Sequence, residues 1–165
     1  VSKFNHGIAF LSLDRVTMAL LINPVIVARH LSEVCMPVKK PFTLRLEQRV
    51  LWVSAQGLWT SANAEQYVQE FRNLVKPLVA EPWALVLDIR DWQICPADVL
   101  QRCVENTEWC YRHNLAHVET IYADNTMVLW QFAKATAAAK PEYLVSQAAA
   151  DEQTARQSLE RAGFL

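Results

Sequence analysis

Three features of this chain predict an α/β fold built on a mixed, largely parallel five-stranded sheet. A fully apolar run, Trp83 to Ile89, ends in acidic residues; a helix start at Pro96 follows it; and strand-like segments alternate with amphipathic helical ones along the rest of the chain. A strand buried on both faces reads as a continuous apolar stretch, and parallel neighbours need a crossover between them that is long enough for a helix.

Each element has its own signal. Phe42, Leu44 and Leu46 alternate with Thr43, Arg45 and Glu47 as a half-buried strand, and after a Gln48-Arg49 turn Val50 to Ala55 returns as a more buried partner, giving a hairpin. Gly57 ends it. Thr60, Ser61 and Asn63 offer caps for a helix whose Ala64, Tyr67, Val68, Phe71, Leu74, Val75 and Leu78 recur at steps of three and four, and Pro77 and Pro82 limit its end. Trp83 to Ile89 is the central strand. The next helix turns Val99, Leu100, Cys103, Val104, Thr107, Cys110 and Tyr111 to the core. Val118 to Ala123 reads as a fourth strand, Asn125 to Ala139 as a third helix, Tyr143 to Val145 as a fifth strand, and Asp151 to Ala162 as a last helix stopped by Gly163. Met127 to Phe132 fits strand or helix, and the alanine-rich continuation favours helix. The order is ββαβαβαβα.

At 165 residues the chain supports one ordinary core. Its division falls near Met36: residues 1–35 lack comparable periodicity and read as an N-terminal extension, dispensable to the domain of residues 36–165 and open to being non-native. A net charge of −1 with 20% charged residues in no blocks argues against nucleic acid as a partner. Val16 to Ala28 is too short an apolar run to span a bilayer, and Arg29-His30-Leu31 after it does not resemble a secretory cleavage site. Cys35, Cys95, Cys103 and Cys110 show no CxxC pairing, so a reducing, cytoplasmic setting is expected.

With this order in view, residues 36–165 resemble the STAS-like, SpoIIAA-like superfamily, to which anti-sigma-factor antagonists and many small uncharacterised bacterial proteins belong. The likeness spans about four fifths of the chain. It rests on the hairpin before Gly57, on LVLDIRDW at 85–92, on VETIYAD at 118–124 and on ADEQTARQSLERAGF at 150–164. The family's regulatory serine opens the helix after the central strand, but Gln93-Ile94-Cys95-Pro96-Ala97-Asp98 contains neither Ser nor Thr. The resemblance therefore implies a regulatory or binding module without that phosphoswitch. It would be non-enzymatic, hold no cofactor and act through a protein partner or a small apolar ligand at the central strand ends, with homodimer formation left open.

The candidate binding surface is Asp88, Arg90, Asp91, Trp92, Cys95, Asp98 and Trp109. Asp88 and Asp91 stand where open α/β sheets bind ligands, yet Arg90 between them and the lack of a glycine-rich loop favour turn carboxylates over a magnesium or acid–base site. Cys95 at a helix start would feel the helix dipole, so the rival reading is a small thiol-dependent enzyme or redox sensor centred on it. The plainer expectation is a buried cysteine, with Asp98 complementing the dipole. Cys110, His113 and His117, with Cys103 nearby, lack a recognised metal spacing and read as core thiols and surface imidazoles. Among six tryptophans, Trp109 lies beside the apolar stripe and could join Trp92 in an exposed patch, while core packing accounts for most of the others.

Overall fold

The computed structural model describes residues 40–165. The extension read at residues 1–35, with Cys35, lies outside the described residues. The observed order is β1 (Phe42–Glu47), β2 (Val50–Gly57), α1 (Ser61–Val75), β3 (Trp83–Trp92), α2 (Ala97–Arg112), β4 (Leu115–Ile121), α3 (Thr126–Ala135), β5 (Val145–Ala148) and α4 (Glu152–Arg161). This is the ββαβαβαβα arrangement that the sequence predicts.

The five strands form one sheet in the order β1-β2-β3-β4-β5. β1 and β2 pair antiparallel, and every later neighbour is parallel, so the sheet is mixed. Gln48 supplies the positive φ, 50°, that a two-residue hairpin turn needs. Each crossover after β2 advances the strand order in the same direction. Right-handed connections that keep one direction return their helices to one face. Accordingly α1, α2 and α3 enclose a core with Phe71, Trp83, Leu85, Ile89 and Val118, whereas α4 covers a smaller cluster on Trp52, Ala84, Val86 and Ile121.

Local chemistry sets the boundaries. Thr60 caps α1 and closes a capping box with Asn63, and the helix stops one residue before the Lys76-Pro77 pair. Pro96 is the cap of α2, so that helix begins at Ala97. β4 starts earlier than the expected Val118, because Asn114 at φ 62° turns the chain straight from α2 into the sheet. The buried polar His117 just before Val118 hides that earlier start from an apolar pattern. α3 is capped by the Asn125 side chain and ends at Ala135, short of the expected Ala139, where the Thr136 hydroxyl donates to the Phe132 carbonyl at 2.9 Å. β5 lies beyond the expected Tyr143–Val145, since its ladder begins with Val145 opposite His117.

α4 is fastened to the hairpin by charge. Arg156 donates to both carboxylate oxygens of Glu47 at 2.8 Å, and Arg45 and Arg156 flank the Trp52 ring at 4.8 and 5.1 Å. The Arg156 hydrogen bonds, assisted by the charge of Arg45, hold the Glu47 carboxyl below its ordinary range. A carboxyl lowered on folding contributes stability above its unfolded pKa and loses it as pH falls through the folded value. Acidification below about 4.5 should therefore loosen α4 from β1, and Glu47→Gln should reduce that acid response, leaving the share due to the Asp151 cap, while costing up to about 1 kcal/mol at pH 7. Amide exchange in α4 as a function of pH measures both effects. Unchanged protection down to pH 3 would exclude the coupling.

Candidate functional site

The exit of β3 divides the predicted site residues between the two faces of the sheet. Asp88 shares its side with Ala84 and Val86, the face under α4, and binds Arg90 in a fork with contacts of 2.9 and 2.7 Å. Partial burial alone would raise the Asp88 carboxyl, but the Arg90 hydrogen bonds outweigh it and the group lies below its ordinary range. Arg90 is also attracted by Asp91 and by Asp151 at the start of α4. This is a structural turn with its charges paired. Asp91 itself is exposed.

Trp92 and Cys95 turn inward instead. Trp92 packs edge-on against Trp59 with ring centroids 6.0 Å apart and is buried, so it forms no exposed patch with Trp109. Trp109 lies near the opposite end of α2, stacked on His113 at 4.0 Å and covered by the Arg72 guanidinium. Trp109 does lie at the edge of its helix's apolar stripe, but the length of α2 separates it from Trp92. Asp98 stays in the first turn of α2, where it accepts from the Ser61 hydroxyl, and that bond holds its carboxyl low.

Cys95 is held by a residue that the sequence did not single out. Gln131, fully buried on α3, accepts from the Cys95 backbone N–H at 2.5 Å and donates to the Gln93 carbonyl at 3.0 Å. One amide thus bonds both the Gln93 carbonyl and the Cys95 N–H of the β3–α2 turn and ties α3 to it. The Cys95 thiol contacts the Gln93 carbonyl at 3.2 Å. Burial raises its pKa, against opposing pulls from the Trp59 backbone, the Trp92 indole and Gln131. Burial also pushes Cys103 up to about 12 and raises Cys110 further. No acidified thiolate is prepared at this helix start.

The proposed metal spacing is likewise dispersed. Cys110 is buried in the helix-covered core, His113 Nδ1 contacts the Trp109 carbonyl at 2.7 Å, and His117 Nε2 contacts Glu119 at 2.8 Å beneath α4. His117 is a buried core residue, not a surface imidazole. Gln147 donates to Glu119 at 2.6 Å and lies 2.7 Å from the Ser158 hydroxyl, completing a polar link from buried β4 through exposed β5 to α4.

The feature least visible in the sequence is a cavity of about 100 Å³ between the sheet and the three helices on its covered face. Leu85, Leu87 and Ile89 of β3 form part of its floor, and Tyr67, Phe71 and Trp92 part of its inner wall. Tight packing is the rule in protein interiors, and an apolar void of this kind forfeits contacts on every wall. No run of residues signals it, because its lining is drawn from seven elements and the loops before α1 and β5.

No protein-family model matches the chain, and no curated protein does. Solved structures do. One is an uncharacterised DUF3478-family protein from Shewanella loihica PV-4 with a SpoIIAA-like fold, similar at a TM-score of 0.54 and 15% identity over 72% of this chain and 91% of that one. The fold is SpoIIAA-like. At that identity the likeness carries the architecture and leaves the activity to be argued from this chain's own residues. No helix among the described residues is long and apolar enough to cross a membrane.

Two measurements check this geometry. Gln131→Leu strands the buried Cys95 N–H and leaves the Gln93 carbonyl with the Cys95 thiol as its remaining partner, and should lower stability by about 1–3 kcal/mol, read from the urea midpoint at unchanged slope. In a Cys35→Ser background, neutral-pH alkylation of Cys95, Cys103 and Cys110 should be slow until the protein is denatured. Rapid labelling of Cys95 alone in the folded state would restore the thiol-sensor reading.

Proposed function

We propose that this protein is a non-enzymatic binding module whose ligand is a small apolar molecule held between the sheet and α1, α2 and α3. The observation that carries the reading is the cavity itself. Its volume of about 100 Å³ approaches the ~150 Å³ of an engineered apolar cavity able to take up benzene, and its walls are mainly aliphatic, aromatic and thiol groups. A ligand there would contact elements from β2 to β5 at once, so occupancy would be coupled to the packing of the whole helix layer. That coupling is what a regulatory role would use.

A protein partner is the second reading, and one observation favours it. Leu58 after β2, Ile94 after β3, Tyr122 after β4 and Met127 and Trp130 on α3 are exposed at the ends of the parallel strands. Solvent-facing apolar groups gathered at one end of a sheet suit a docking surface. A thiol-dependent enzyme or sensor at Cys95 is the weaker alternative, because burial raises that thiol and no base faces it among its contacts.

The test is saturable binding of 1-hexanol or benzene, followed by thermal shift and by two-dimensional NMR. A concentration ten times the dissociation constant should stabilise the protein by about 1.4 kcal/mol, a rise of a few degrees. Ala135→Leu, placed on the cavity wall, should abolish the shift while preserving the circular dichroism of the fold. Absence of saturable shifts at millimolar probe would overturn the reading.

A further inference from the structure

We infer that the cavity is built for an amphipathic acid, a short apolar tail ending in a carboxylate, with Lys140 receiving the acid at the mouth. The inference rests on the apolar-ligand reading above and adds the polar end of the ligand. The cavity lining contains a single charged side chain, and it is Lys140; no Asp, Glu, Arg or His contributes to the wall. Lys140 and Ser146 are also the lining residues that are exposed, so the void reaches solvent between them, at the loop joining α3 to β5. The other end is closed by Trp59, Phe71 and Trp92, all buried. Polarity is therefore graded along the cavity: aromatic at the base, cationic at the entrance.

Lys140 is the one cation the lining offers an acid, with the exposed Ser146 hydroxyl beside it at the mouth. Thr107 donates to the Ala135 carbonyl at 3.3 Å and Thr136 to the Phe132 carbonyl at 2.9 Å, so both are engaged with α3. Lys140 makes no ion pair among the described residues. The mouth is also held in place: the Tyr143 hydroxyl donates to the Tyr111 carbonyl at 3.0 Å and straps the loop after Lys140 to the end of α2. A lysine ammonium offers three donors and a point charge, and no lining carboxylate competes for it or repels an entering anion. An amine would meet like charge at this entrance, and a neutral ligand would leave the ammonium to water. The volume limits the tail to roughly four to six carbons by comparison with the benzene-sized cavity.

The experiment compares hexanoate with 1-hexanol, probes of equal length that differ in head group, on the full chain by NMR titration and thermal shift. Hexanoate should bind about fivefold more tightly, the range of a solvent-accessible ion pair, and the preference should shrink as salt is added. Lys140→Gln should erase the preference with 1-hexanol affinity unchanged, and Lys140→Arg should restore most of it. If 1-hexanol binds but hexanoate is no better, or if Lys140→Gln weakens both equally, the acid inference is overturned while the apolar cavity stands. If neither probe binds, both readings fall together.

Discussion

The structure depends on a constraint of handedness. From β2 onward each crossover moves the strand order one step the same way, and right-handed connections that never reverse must lay their helices on a single face. Three helices therefore crowd one side of the sheet and α4 alone serves the other. The crowded side has to fit three cylindrical surfaces to one twisted plane. The cavity lies where Tyr67 and Phe71 of α1, Cys110 of α2 and Phe132 of α3 meet over β3 without filling the space between them.

Buried polar residues keep this arrangement in register. Gln131 binds the turn after β3 from α3, Asn106 on α2 accepts from the Arg72 side chain of α1 at 3.0 Å, and Glu119 receives both His117 and Gln147. Each bridges separate elements, so a shift of either element would strand a desolvated donor or acceptor. Apolar packing holds the helices against the sheet without specifying angular position. These few amides and carboxylates supply that specification on both sides of the sheet, Gln131 and Asn106 among the three helices and Glu119 beneath α4.

The thinly covered face uses a different device. Arg45 and Arg156 stand over Trp52 and share Glu47, so α4 is held to the hairpin by an exposed, salt-sensitive network on top of a small apolar cluster. Arg49 contributes at the far end, with its guanidinium 5.1 Å from the Phe164 ring and a hydrogen bond to the Gly163 carbonyl. The two faces are thus held by different forces: one by apolar packing around a cavity, the other by charge that acid and salt weaken.

Element order, the hairpin, the central place of β3 and the inward positions of α1 were legible in the sequence, because periodicity and caps are local and act within a few residues. The limits of β4 and β5 were not, because His117 and Glu119 are buried only through each other and through Gln147, a partner 28 residues beyond Glu119. The candidate surface met the same limit. Its paired acids and its early cysteine could be read as neighbours along the chain, but whether a side chain at the end of β3 points to α4 or beneath α3 depends on the pleat and on the turn that Gln131 secures. Sequence by itself determined which segments are strands and helices and what kind of sheet they make, since those follow from short-range sterics and apolar spacing. Only the tertiary structure decided that Cys95 is buried, that Trp109 and Trp92 lie apart and that a cavity remains between the sheet and three helices, because these follow from how the surfaces of distant elements fit together.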